Sequence, residues 1–142
     1  MSHLRLANGD DHPAAAGKHL SDAGVLLPAG RADGAAYLAG YVVECTIKSL
    51  ILAAAGHPWG HNLSGLGRDA LRLAALPGAR TARYVPRMTP GHSLYDAASG
   101  WRETLRYREP GAVAPADAGS WLAEAQAVYE STIVPMRLDG VV

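Results

Sequence analysis

Apolar residues recur along this chain at intervals of three and four, the spacing that places side chains on one face of an α-helix. The first such stripe consists of Ala16, Leu20, Ala23 and Leu27. Pro13 is tolerated in the first turn of a helix, where its missing N–H is not needed. Pro28 and Gly30 are residues that end helices. The pattern therefore predicts a first helix from about His12 to Leu27.

The longest predicted helix begins after Asp33, a residue type that favours the N-cap position. It ends near Ala55, ahead of a loop that contains glycine and proline. At about 1.5 Å per residue, this helix is roughly 34 Å long. It is apolar on nearly all sides, which indicates a helix covered by neighbours on several faces. Its small residues, such as Gly40, could let another backbone come close.

Residues 35–55 are also long enough and apolar enough to cross a bilayer. Glu44 and Lys48 lie at the middle of this stretch, where each charge costs roughly 2.5–3.5 kcal/mol to insert. They are four residues apart and can pair on one helix face. Residues 1–11 lack the apolar core of a signal peptide. We therefore predict the buried central helix of a soluble bundle in the cytoplasm, without a membrane partner.

Two further helices are predicted in the middle of the chain. The third begins near Ser64 and ends at Pro77. Its stripe consists of Leu63, Leu66, Ala70 and Leu73. Pro90 then opens a short helix after an irregular connection. The stripe of this short helix consists of Leu94, Ala98, Trp101 and Leu105.

The last helix is predicted from about Pro115 to Arg137. Its face consists of Trp121, Ala125, Val128 and Thr132. No segment shows the sustained alternation of apolar and polar residues that is typical of strands. We therefore expect an all-α fold, an up-and-down helical bundle of four main helices plus one short helix. The predicted domain spans residues 12–140, and residues 1–11 are expected to form a flexible tail.

Composition removes several function classes. The 13 Lys and Arg residues balance the 13 Asp and Glu residues, so net charge does not favour a nucleic acid or a membrane. Cys45 is the single cysteine, which excludes an internal disulfide and a cysteine-based zinc cluster. His57 and His61 are four apart, but proline and glycine between them oppose the helix that would align them on a metal. We therefore expect no metal and no cofactor, and we interpret His61 as capping or orienting the third helix.

The central helix carries one conspicuous polar face. It consists of Tyr37, Tyr41, Glu44 and Lys48, at helical spacing. Burying either charge alone would be costly. One interpretation is a structural pair that braces the bundle or a dimer. The other is a polar cleft for a ligand.

Charge is concentrated between residues 79 and 108. This segment contains six arginines and only two acidic residues, Asp96 and Glu103, which gives it a local charge of +4. Tyr84, Trp101 and Tyr107 are interleaved with the arginines. Arginine and aromatic side chains together can hold phosphates and stack bases. Arginine stems also commonly cover apolar surface, which is the alternative interpretation.

The sequence of residues 34–48, GAAYLAGYVVECTIK, resembles the HEPN (higher eukaryotes and prokaryotes nucleotide-binding) domain family. The resemblance extends to residues 18–23 and to residues 61–63. Trp101 with Arg106 and Tyr107 resembles a later family signature, and residues 136–140 resemble the family's C-terminal end. The similarity therefore spans about residues 12–140.

This resemblance implies an all-α bundle that is often dimeric and that binds nucleotides or RNA. Many members are ribonucleases, often toxins paired with a nucleotidyltransferase-like antitoxin. Their catalytic arginine and histidine are separated by four to six residues, so that arginine steadies phosphate charge and histidine acts as acid or base. Arg87 and His92 have this spacing, as do Arg5 and His12 in the N-terminal tail. A chain with this many arginines and histidines is expected to contain about as many matches of this kind by chance, so Arg87 and His92 are only a candidate catalytic pair.

We accordingly predict a cytoplasmic homodimer that binds a nucleotide or RNA and has no convincing ribonuclease motif. The predicted ligand-binding residues are Glu44, Lys48, His61, Arg102, Arg106 and Tyr107. One alternative is a metal-independent ribonuclease toxin of a toxin–antitoxin pair. The other is a protein-interaction module that partners a nucleotidyltransferase-like protein.

Overall fold

The computed structural model describes residues 2–86, 93–96 and 100–142. Within these ranges the chain forms four α-helices and three short 3₁₀ helices, and none of the described residues is in a strand. The α-helices are α1 (His12–Leu26), α2 (Ala32–Ala53), α3 (Leu63–Ala74) and α4 (Pro115–Leu138). The 3₁₀ helices are Ala82–Tyr84, Ser93–Tyr95 and Glu103–Tyr107. The predicted all-α helical bundle is confirmed.

Helix α2 is the centre of the bundle. It packs mainly against α1 and α4, and over a shorter length against α3. Ala36, Ala39, Val43 and Ile47 are buried in these contacts. Among the described helices, only α2 is long and apolar enough to cross a membrane, and 78% of its most apolar window is buried inside the fold. Burial by neighbouring helices thus accounts for its apolar character, as the sequence predicts.

Side chains cap two helices at their N-terminal ends. The carboxylate of Asp11 accepts a hydrogen bond from Ala14 N at 3.1 Å, and Pro13 occupies the first turn of α1. Asn62 Oδ1 accepts from Gly65 N at 2.8 Å at the start of α3. The interpretation of His61 as the cap of the third helix is therefore wrong, because the next residue fills that position.

Asp33 is not the N-cap of α2, contrary to the prediction. Arg31 occupies that position, and Asp33 lies in the first turn. The two oxygens of Asp33 accept hydrogen bonds from Gly111 N at 2.6 Å and Val113 N at 2.9 Å. These two bonds lower the pKa of the Asp33 carboxyl group. A side chain expected to stabilise its own helix instead fastens the loop before α4 onto the start of α2.

The short fourth helix is also predicted wrongly. The described residues there form two separate 3₁₀ helices, Ser93–Tyr95 and Glu103–Tyr107, and Arg102 between them is extended, with φ −142° and ψ 148°. Pro90 and Ala98 lie outside the described residues. The physical reason is the docking of Trp101, whose indole Nε1 donates to the Tyr37 carbonyl at 2.9 Å. A long-range contact thus overrides the local helical spacing.

Candidate functional site

A buried carboxylate with two basic partners lies at the middle of α2. Lys48 Nζ is 2.9 Å from Glu44 Oε1. His61 Nδ1 is 3.0 Å and 3.1 Å from the two carboxylate oxygens of Glu44. Glu44 is only 3% exposed and Lys48 only 8% exposed. The predicted pairing of Glu44 with Lys48 is confirmed, and the structure adds His61 as a third member.

The bond to Glu44 orients the imidazole of His61. A carboxylate on one ring nitrogen fixes the position of the ring and leaves the other nitrogen for a ligand. Nε2 of His61 makes no hydrogen bond with any residue in the described part of the chain. The His61 side chain is 50% exposed, whereas its carboxylate partner is buried. The buried carboxylate of Glu44 therefore holds the imidazole of His61 in a fixed orientation at the surface.

His61 opens into a cleft of about 640 Å³, which we call the His61 cleft. Its charged and polar lining includes His61, Ser64, Arg68, Asp96, Arg102 and Glu103. Trp101 forms part of the apolar wall. This volume is typical of small-molecule sites. The lining carries two guanidinium groups and two carboxyl groups, so its formal charges balance.

A smaller pocket of about 290 Å³ adjoins the His61 cleft, and Arg102 lines both. Arg108 and Asp117 also line this second pocket. Arg102 is therefore shared by two neighbouring pockets. A ligand that occupied both pockets would be longer than a single compact anion.

Arg106 and Tyr107 lie beside the cleft rather than in its wall. The Arg106 guanidinium lies 4.9 Å from the centre of the Tyr107 ring, and the Tyr107 residue is 75% exposed. Arg106 Nη1 also donates to the Tyr37 hydroxyl at 3.5 Å, and this bond raises the pKa of Arg106. The predicted Arg106 and Tyr107 thus form an exposed stacked pair that is attached to α2 through Tyr37.

Several aromatic rings pack against one another next to His61. The indole of Trp101 lies against Gly40, where an added Cβ atom would overlap the ring. Gly40 therefore makes room for the side chain of Trp101, whereas the sequence suggested the close approach of a second backbone. The Tyr41 ring lies 5.1 Å from the Trp101 ring and 6.4 Å from the His61 ring, centre to centre. Burial raises the pKa of the Tyr41 hydroxyl, so it stays protonated.

Two histidines of α1 complete the surroundings of the buried pair. The His19 ring lies 5.6 Å from the Tyr41 ring. Burial lowers the pKa of both His12 and His19, and the Lys48 charge lowers that of His12 further. Both side chains are therefore neutral near pH 7. Neither of these two histidines therefore adds positive charge beside the buried pair near pH 7.

The arginine-rich segment does not form a single surface. Arg83 lies near the C-terminal end of α4, where its Nη2 is 2.6 Å from Asp139 Oδ2. Arg80 lines a pocket at that same end, while Arg102 lines the His61 cleft. Arg87 and His92, the candidate catalytic pair, lie outside the described residues. The local charge of +4 is therefore divided between separate regions of the fold.

Sequence reasoning missed Arg68 and Trp59. Arg68 lies one turn after Ser64 on α3, and both line the His61 cleft. The i, i+4 spacing from a residue near the start of α3 could have indicated this. Trp59 is 84% exposed and directly precedes Gly60, which lines the cleft. A large aromatic residue in a loop rich in glycine and proline was the available signal.

The described residues contain no group of three His, Cys, Asp or Glu side chains that could hold a metal ion. Cys45 is buried, and burial raises the pKa of its thiol to about 12. A thiol with so high a pKa is a poor nucleophile at neutral pH.

Comparison with known proteins identifies one family. The model of the HEPN domain matches residues 11–133. This range contains α1, α2, α3 and most of α4, and with them the whole His61 cleft. No curated protein and no solved structure gives a significant match.

Proposed function

Because the chain belongs to the HEPN domain family, a family of nucleotide-binding, RNA-binding or ribonuclease type, we propose that it binds RNA in the His61 cleft. The observation that carries this proposal is the imidazole of His61, which buried Glu44 holds in a cleft that Arg68 and Arg102 also line. Guanidinium groups bind phosphate oxygens through paired N–H donors. An oriented imidazole supplies a further donor or acceptor for the sugar or the phosphate.

The shape of the site favours a strand over a single nucleotide. Arg102 lines both the His61 cleft and the neighbouring pocket, and Arg108 lines that neighbouring pocket. Exposed Tyr107 directly precedes Arg108 in the sequence, and exposed Trp59 directly precedes Gly60 of the cleft lining. Aromatic rings that bases can stack on, next to arginines that contact the backbone, are typical of single-stranded RNA binding.

Arginine substitutions test this proposal. We expect Arg68→Gln and Arg102→Gln each to weaken binding of a short labelled single-stranded RNA about tenfold, the size of one lost charged contact. Fluorescence anisotropy with EDTA present measures this affinity. Arg72→Gln is the matched control, because Arg72 lies one turn further along α3 and pairs with Asp69 at 3.6 Å outside the cleft. Equal affinities for all three variants and the unchanged protein would refute the proposal.

A metal-independent ribonuclease is the second candidate, because a carboxylate-oriented histidine beside arginines can also act on RNA. In that reaction His61 would accept the proton of a 2′-hydroxyl group while the 2′-oxygen bonds to phosphorus. The bond between phosphorus and the 5′-oxygen breaks, and the leaving 5′-oxygen takes a proton from water. Arg68 and Arg102 would stabilise the charge on the phosphate. Cleavage that persists in EDTA, stops with a 2′-deoxy substrate and stops in His61→Asn would support this candidate. Loss of cleavage in His92→Ala with retention in His61→Asn would favour the pair Arg87 and His92 instead.

Assembly as a homodimer and pairing with a nucleotidyltransferase-like protein stay predictions, as does a cytoplasmic location. Light scattering on the purified chain measures its oligomeric state. Growth arrest on expression, relieved by a co-expressed nucleotidyltransferase-like neighbour, would support a toxin–antitoxin pair. Growth without arrest, with complex formation on co-purification, would support the interaction module.

A further inference from the structure

Trp101 directly precedes Arg102 in the sequence, and three contacts hold it in place. Its indole Nε1 donates to the Tyr37 carbonyl of α2 at 2.9 Å. Its ring lies against Gly40, where an added Cβ atom would overlap it. Its backbone N–H donates to the Leu94 carbonyl at 3.1 Å. Both the side chain and the main chain of Trp101 are therefore fixed, in what we call the docked position.

Leu94, the main-chain partner of Trp101, is itself held in the core. Leu94 is 1% exposed, and its N–H donates to Glu124 Oε2 of α4 at 3.3 Å. Trp101 is 4% exposed. The contacts of Trp101 thus reach two of the long helices, α2 directly and α4 through Leu94. Moving Trp101 out of the docked position would break hydrogen bonds inside the fold.

Arg102 is exposed, whereas Trp101 beside it is buried. The backbone of Arg102 is extended, with φ −142° and ψ 148°. Successive side chains of an extended segment point to opposite sides, so burial of Trp101 turns Arg102 outward. There Arg102 lines the His61 cleft and the neighbouring pocket. An arginine side chain has many rotamers, so the position of its backbone limits where its guanidinium group can reach.

We propose that Trp101 is the positioning residue of Arg102. The docked indole places the Arg102 guanidinium group in the His61 cleft, where it contacts the phosphate backbone of RNA. This role rests on the RNA binding proposed above. Preorganising a contact raises affinity, because less conformational freedom is lost on binding. Loss of the docked position therefore weakens RNA binding through Arg102 alone.

A double-mutant cycle on RNA affinity separates positioning from a general effect on stability. Trp101→Phe keeps an aromatic ring and removes the indole N–H that binds the Tyr37 carbonyl. We expect it to weaken binding of a short labelled single-stranded RNA about three- to tenfold, and by no more than Arg102→Gln does. In the Arg102→Gln background, Trp101→Phe should cause no further loss. In the Arg68→Gln background, it should cause the same loss as in the unchanged protein.

Ile133→Val is the control for a loss of stability alone. Ile133 is fully buried on α4 and lies outside the described lining of both pockets that Arg102 shares. Its replacement should lower the melting temperature and leave RNA affinity unchanged. Equal losses of affinity from Trp101→Phe in all three backgrounds would show a general structural role and would overturn the proposal. Unchanged affinity of Trp101→Phe would overturn it as well.

Hydrogen exchange at the indole N–H of Trp101 is a second measurement, and it needs no substitution at Trp101. Coupling between two sites is reciprocal, so RNA that contacts Arg102 must also stabilise the docked indole. We expect saturating RNA to slow this exchange severalfold in the unchanged protein and not in Arg102→Gln. The same slowing in both proteins would overturn the positioning role. If the unchanged protein binds no RNA, the proposed function falls together with this role, whereas RNA binding with additive substitutions removes the positioning role alone.

Discussion

Replacing Lys48 by methionine tests the buried pair on α2. Methionine keeps the apolar stem of the side chain and removes the charge that lies 2.9 Å from Glu44. Glu44 is 3% exposed, so water cannot replace the lost ammonium group. We therefore expect Lys48→Met to lower the free energy of unfolding substantially, without changing the fold.

The size of this effect follows from the remaining contacts. Removing one partner of a buried ion pair costs about 3–5 kcal/mol. His61 Nδ1 stays 3.0 Å from the Glu44 carboxylate and still supports it, so we expect the lower end, about 3 kcal/mol. A domain of this size is stable by about 5–15 kcal/mol in total. With a urea dependence of about 1.5 kcal/mol per molar, the unfolding midpoint should fall by about 2 M.

Urea unfolding measured by circular dichroism provides the test. Lys18→Met is the matched control, because Lys18 is the other lysine of the chain and is exposed on α1. Its midpoint should not move. The double variant Glu44→Gln with Lys48→Met should be more stable than the sum of the two single costs predicts, because no unpaired charge remains. A cost below about 1 kcal/mol for Lys48→Met would show that the buried pair contributes little to stability.

Three further predictions concern the surroundings of the site. Lowering the pH from about 7.5 to about 5.5 should lower the urea midpoint. Burial lowers the pKa of His12 and His19 in the folded chain, so the unfolded chain binds more protons over this pH range. Replacing both histidines by glutamine should flatten this dependence. Gly40→Ala should destabilise the fold by about 1–3 kcal/mol and shift tryptophan fluorescence, since the added Cβ overlaps Trp101. Asp33→Ala should speed hydrogen exchange at the two loop amides that it binds, and unaltered exchange would contradict that role.

The polar face of α2 could be predicted because it depends only on helical spacing. Glu44 and Lys48 are one turn apart, so the sequence alone places them together. The contact between Glu44 and His61 joins residues 17 positions apart across a loop. Local spacing carries no information about such a contact. The family resemblance indicated His61 as a polar position but not its partner.

The errors have a common physical origin. Asp33 is a residue type that favours the N-cap position, but two backbone amides in the loop before α4 bind its carboxylate instead. The short helix has correct apolar spacing, but its tryptophan is held on α2 by a hydrogen bond to Tyr37. In both cases a tertiary contact outweighs a preference worth about 1 kcal/mol or less per residue. Arg68 differs from these two cases, because helical spacing from Ser64 was available in the sequence, although only the folded chain shows that both line a cleft with Trp101.

Binding of RNA in the His61 cleft can be followed at the imidazole resonance of His61 in an NMR titration. The resonance is assigned by its loss in His61→Asn, and His57, in the same loop but outside the cleft lining, is the internal reference. On addition of short single-stranded RNA in EDTA at low salt, we expect the His61 resonance to shift to saturation while that of His57 stays in place. An unmoved His61 resonance at saturating RNA would show that RNA does not bind in the His61 cleft.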